Sequence, residues 1–167
     1  FSFVMCSTSG TSPFWLGVLV FGLQATMHGF LAYDLIGTGD IWERIPKNVE
    51  TPTRLAQFVA VLVSTSIQDD LRDGMHQLSE THAINRVLEK FPNLTVTRWW
   101  LSLSLRLLDG ALGLIVTFFL VVVAHSVFDV LINFTAMGFV ANLDNLAFLL
   151  CSRGLLGHAN TQIASRI

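Results

Sequence analysis

The chain has 167 residues, enough for one domain, but only 13% are charged against 52% hydrophobic, where a soluble domain carries about 25% charge. A mean hydropathy of +0.59 argues in the same way against a water-facing surface of this size. A net charge of -2 excludes the basic footprint of a nucleic-acid-binding protein.

Residues 1–12 carry no charge and lack the basic start and long apolar middle of a signal peptide; they read as a short lead-in. A first apolar stretch covers residues 13–36. It opens on Pro13, which suits a first helical turn, and it supplies the ~20 residues that cross hydrocarbon. Trp15 and Tyr33 stand near its two ends as interfacial anchors. A loop rich in Gly, Pro and charge follows. The second stretch, 53–71, is weaker, because its charge-free span is only the 14 residues 55–68. It reads as a membrane helix shielded by its neighbours, with a helix lying in the interface as the alternative.

Residues 72–97 are polar and contain one amphipathic piece, 80–91, with Ile84, Val87, Leu88 and Phe91 on one face. The third stretch, 98–125, is the clearest, since Thr117 is its one polar side chain between Gly110 and Ala124. A sharp turn at His125 and Ser126 leads into a fourth, 127–151, so the last two helices should form an antiparallel hairpin. A tail, 158–167, completes the chain. The expected architecture is all-α: an integral membrane bundle of about four transmembrane helices over residues 13–157, with one short amphipathic surface helix. With four spans, seven basic residues fall on the side of the amino terminus and three on the other, which assigns the former to the cytoplasm or stroma.

Several polar residues stand in these apolar stretches. Ser126, Asp129, Asn133 and Asp144 lie within about 60° on one helical face. Ionisable groups in hydrocarbon are costly unless paired or wetted, so this face looks inward as an ion or proton path. The ordinary explanation is interhelical hydrogen bonding, with Asp129 at a helix start where a carboxylate is favoured. Arg106 and Asp109, three residues apart, have the spacing of an ion pair on one helix. His28, Gln57 and His125 are candidate axial ligands for a chlorophyll magnesium. The acidic run at Asp69, Asp70 and Asp73 reads as a solvated helix end, with a divalent-cation site as the alternative. Gly110 and Gly113 permit close helix approach. No metal-ligand spacing joins Cys6 and Cys151, and no GxSxG, HExxH, P-loop or CxxC motif is present; nothing argues for an enzyme.

The second half of the chain resembles a family of multi-pass membrane proteins of diatoms and related algae and protists. The residues that carry the likeness are Asn133, Phe134, Thr135 and Ala136, then Leu143, Asp144 and Asn145, then Phe148, Gly154 and Gly157. Residues 53–71 are similar to that family's preceding helix. The resemblance implies membrane topology and no activity. With the lineage it implies, the first expectation is a non-catalytic accessory subunit of an organellar energy-converting complex. A photosystem in the thylakoid, with peripheral chlorophyll and carotenoid, comes first, and an assembly of the mitochondrial inner membrane second. Its partners would be the lipid bilayer and other membrane subunits. The alternative is an ion channel or transporter module lined by Asp129, Asn133 and Asp144.

Overall fold

The computed structural model describes residues 11–37, 43, 45–79 and 95–165. Among these residues the secondary structure is helical, without strands. The lead-in (residues 1–10) and the amphipathic piece at 80–91 lie outside the described residues.

Helix α1 spans Ser12–Gly37, α2 spans Thr51–Ile67 and α3 spans Asp69–Ser79. The stretch expected as one helix over 53–71 is therefore two, broken at Gln68, whose ψ of 72° leaves the helical region. Asp69 and Asp70 follow the break and occupy the first turn of α3, where carboxylates are stabilised by the helix dipole. Helix α4 spans Val96–Val123. The Thr95 side chain caps it by accepting from the Arg98 amide.

Helix α5, Val127–Ala141, starts on a capping box: Ser126 accepts from the Asp129 amide, and Asp129 accepts from the Ser126 amide. Its hairpin with α4 is the expected one, and the Asn133 amide donates to the Leu120 carbonyl across it at 2.9 Å. After Asn142 the chain bends by 45° into α6, Leu143–Ser152. Gly154 and Gly157 take positive φ, 79° and 94°, which favours glycine. They turn the tail back as α7, His158–Ala164, and Ala164 packs with Cys151 and Leu16.

Among the described residues two helices are long and apolar enough to cross a membrane, α1 and α4, and the bent pair α5–α6 makes a third if it counts as one span. Four full spans are not confirmed. Helix α2 has 17 residues, short of the ~20 needed, and α3 is polar. The chain nonetheless places four rods side by side. His28 meets Asp109 and Leu35 packs with Val116, so α1 and α4 run parallel. Gln57 reaches the Ala124 carbonyl while Gln68 lies beside Gly113, so α2–α3 runs antiparallel to α4. Gln24 reaches the Val140 carbonyl and Leu16 packs near Cys151, so α5–α6 runs antiparallel to α1.

Polarity is inverted relative to a water-soluble bundle. Phe30, Tyr33, Phe58 and Phe128 are exposed, while Gln24, His28, Asp109 and Thr117 are buried. Side chains sort this way when the surroundings are apolar and the interior supplies the hydrogen bonds. Small residues let the rods close. A Cβ on Gly110 would stand 2.7 Å from the Leu71 backbone nitrogen, so α3 can lie against α4 only over a glycine.

Candidate functional site

The two helix breaks come together. Gln68, Asp69, Asp70, Arg72 and Asp73, from the α2–α3 break, face Ala141, Asn142, Asp144 and Asn145, from the α5–α6 break. With Arg106 of α4 they line a cavity of about 150 Å³. The restart after Gln68 puts Asp69 and Asp70 in the first turn of α3, beside the cavity.

Charge is graded from the cavity mouth to the bundle centre. Arg72, Asp69 and Asp73 are 70%, 56% and 53% exposed, and Arg72 pairs with Asp69 at 2.8 Å and Asp73 at 3.8 Å. Deeper in, Arg106 Nε lies 3.3 Å from Asp70, at 14% and 15% exposure. At the centre His28 Nδ1 lies 3.4 Å from Asp109 Oδ1, at 2% and 3% exposure. Asp109 has thirteen residues of α4 before it and fourteen after it, which puts the pair midway along the longest rod. Burial above all, and then the like charge of Asp144, push the Asp70 carboxyl up to about 7 from its ordinary 3.8, while Arg106 pulls it down.

Gly113 holds the inner end of this gradient open. A Cβ there would stand 3.1 Å from Gln68 Nε2 and 3.3 Å from His28 Nε2. Those two side chains from α2–α3 and α1 thus meet over the bare backbone of α4. His28 Nε2 and Gln24 Oε1 are buried without a hydrogen-bond partner, an arrangement usually resolved by water or a mobile proton. Gln24 and Asp144 share a further cavity of about 20 Å³, roomy enough for one water.

A second polar recess, about 290 Å³, lies at the other end of the bundle. It is lined by Asp34 and Leu35 of α1, Leu120 and Val123 of α4, the turn residues Ala124 and His125, and Asp129 and Asn133 of α5. Between the two recesses sits an apolar layer of Leu35, Val116 and Met137.

The residues singled out from the sequence fall as follows. The polar face of Asp129, Asn133 and Asp144 is divided: Asp144 lines the cavity at the breaks, and the other two line the recess at the far end. Asp129 serves as the helix-start carboxylate of the ordinary explanation. Arg106 and Asp109 each lie beside a partner on another helix, Asp70 and His28. His28 is enclosed by the bundle, with Asp109 Oδ1 3.4 Å from Nδ1 and the bare backbone of Gly113 beside Nε2. Gln57 spends its amide on the Val122 and Ala124 carbonyls at 3.2 and 3.0 Å. His125 is exposed in the turn after α4. Sequence reasoning missed Asp70, which it read as a solvated helix end. The signal was the adjacency of Gln68, Asp69 and Asp70 to an unusually short apolar stretch.

Among the described residues no group of three or more His, Cys, Asp or Glu is arranged to hold a metal ion. No family model, curated protein or solved structure matches this chain, so the reading below stands on geometry.

Proposed function

We propose that this chain is a membrane-embedded proton path, in which protons pass from the cavity at the helix breaks to the His28–Asp109 pair and on to the recess at the opposite end. The observation that carries the reading is the graded burial of charge, from Arg72, Asp69 and Asp73 through Arg106–Asp70 to His28–Asp109. Buried ionisable groups in apolar helices are costly, and a single buried pair would suffice as a structural staple. A series that leads from the surface to the centre is the arrangement of a relay. Asp109 and His28 hold the proton at the centre, Asp70 and Asp144 exchange it with the outer cavity, and the layer of Leu35, Val116 and Met137 keeps water from joining the two sides.

Reconstitution into liposomes with an entrapped pH dye tests this. An imposed pH gradient is expected to collapse through the wild-type chain, and Asp109→Asn is expected to slow the flux by about a hundredfold, the scale of a lost proton-transfer group. Wild-type vesicles no leakier than empty ones, or an unimpaired Asp109→Asn, would overturn the reading.

The outer face of α2 favours a second reading, a subunit of a larger assembly. Leu55, Phe58, Val59 and Leu62 are exposed on a helix too short to span alone. Native purification followed by mass spectrometry separates the two: a stable set of partners supports the subunit, and self-association alone counts against it. A thylakoid complex with pigments would be recognised by the absorption spectrum of that preparation.

A further inference from the structure

The two nitrogens of His28 have chemically different neighbours. Nδ1 lies 3.4 Å from the Asp109 carboxylate. Nε2 lies beside the bare backbone of Gly113, buried and without a hydrogen-bond partner. The Gln68 carboxamide reaches the same spot from α2–α3. A Cβ on Gly113 would stand 3.3 Å from His28 Nε2, 3.1 Å from Gln68 Nε2 and 3.6 Å from Gln68 Oε1. Imidazole and carboxamide therefore meet over one glycine, within the reach of a single bridging water or of a turn of the Gln68 side chain.

Gln68 is placed for such a role. It stands where α2 stops and α3 starts and is 8% exposed. Its side chain makes no hydrogen bond to another described residue. On one side it borders the cavity at the helix breaks. On the other it borders a cavity of about 20 Å³ shared with Ser64 and Thr117. A carboxamide has a donor at one end and an acceptor at the other. The Asp109 carboxylate only accepts, so it favours the proton of a neutral ring on Nδ1. That leaves a lone pair on Nε2, which accepts from the Gln68 N–H. A charged ring carries a proton on Nε2 as well and donates to Gln68 Oε1. One side chain thus serves both states of the imidazole.

We propose that Gln68 is a positioning residue of the proton path: it holds His28 from the Nε2 side and makes Nε2 the atom that takes up the proton from the outer cavity. This rests on the proton path above and names the atom at which its centre is loaded. In that step a hydronium ion in the cavity gives one proton to the Nε2 lone pair and becomes water. The Nδ1 proton stays in place, and the ring becomes an imidazolium beside Asp109. Gln68 neither gains nor loses a proton. The ionisable group that faces the ring is Asp109; Arg106 and Asp70 lie toward the cavity and pair with each other.

Solid-state NMR of the full chain in lipid bilayers, with ¹⁵N-labelled histidine, reads this arrangement. The His28 signals are identified by their loss in His28→Gln. At alkaline pH, where the ring is neutral, wild type is expected to show a protonated Nδ1 and a bare Nε2. Gln68→Met keeps the length of the side chain and removes its polar atoms. It is expected to shift the Nε2 signal and to slow the collapse of a pH gradient in liposomes by about tenfold, the scale of a lost orienting partner. Gln68→Glu sets a carboxylate against Nε2 and is expected to keep both nitrogens protonated at a pH where the wild-type ring is neutral. Gly113→Ala reaches the same point differently, because its methyl drives Gln68 and His28 apart while both remain. It should reproduce the signal shift and the flux loss of Gln68→Met. A neutral wild-type ring protonated on Nε2, or a signal and flux unchanged in both Gln68→Met and Gly113→Ala, overturns the proposal. Flux that falls with Asp109→Asn yet survives these two keeps the path and removes Gln68 from it. Wild-type vesicles no leakier than empty ones remove both.

Discussion

The two ends of the bundle use the same kinds of side chain to different ends. At the helix breaks, Asp70 and Asp144 face inward on a cavity shared with Gln68 and Arg106. At the hairpin end, Asp129 and Asn133 line a larger recess, yet both are occupied by the backbone, Asp129 by the Ser126 amide and Asn133 by the Leu120 carbonyl. The difference lies in the main chain. A carboxylate at the start of a surface-facing helix satisfies that helix. Asp144 likewise accepts a backbone amide, that of Asn145 at 2.8 Å, but with Asp70 it also lines the shared cavity. Position relative to a break, more than residue type, decides which cavity each aspartate lines here.

That contrast can be broken most directly at the inner pair. His28→Leu leaves the Asp109 carboxylate buried without its partner, and removal of one member of a buried pair costs about 3–5 kcal/mol. Unfolding in nanodiscs is expected to show that loss, and a stability within experimental error of wild type would mean that Asp109 is neutral or wetted. Next comes pH. Asp70 titrates near 7 in the folded chain and at 3.8 when unperturbed, so the folded state binds this proton more tightly than the unfolded one. Its contribution is present in full below about pH 4, is lost as pH rises toward 7 and stays lost above, at about 1.4 kcal/mol per unit of separation. Asp70→Asn should flatten that slope; an unchanged slope assigns it to another group.

Gly110→Ala tests whether the α3–α4 approach holds the cavity together. The added methyl meets the Leu71 backbone at 2.7 Å, and overpacking of this kind costs about 1–3 kcal/mol. Gly138→Ala, with nothing within 4 Å of the new Cβ, is the matched control and should be neutral or mildly stabilising. The smallest effect belongs to the hairpin end. Ser126→Ala removes one half of the capping box and is expected to cost about 1 kcal/mol without changing proton flux. A flux defect there would erase the distinction between the two ends.

The helices themselves were legible in the sequence. Residues 13–36 and 98–125 were expected, and α1 and α4 span Ser12–Gly37 and Val96–Val123, because long charge-free runs leave a chain in lipid little alternative. The close approach at Gly110 and Gly113 was legible too, since only small side chains allow it. The breaks were not. The charge-free run 55–68 stops abruptly at Asp69, but an onset of charge fits a helix that ends there as well as one that restarts. The site was half visible. His28 and Asp109 each stood out as polar residues in apolar helices, but they are 81 positions apart in the chain, and helical periodicity says nothing about which rod faces which. Arg106 and Asp109 have the right spacing to pair on one helix, and nothing in the sequence signalled that each would also meet a partner on another helix, Asp70 and His28.

The apolar layer of Leu35, Val116 and Met137 has an electrical consequence. A membrane potential falls across whatever resists it, and watery recesses above and below a thin greasy partition concentrate the drop within that partition. On the proton-path reading, the His28–Asp109 pair lies on the side of that partition nearer the helix breaks. Release across the partition feels nearly the whole potential, about 2.3 kcal/mol per proton for each 100 mV. Transport should therefore rectify, and the direction in which it does so would reveal how the chain sits in its membrane.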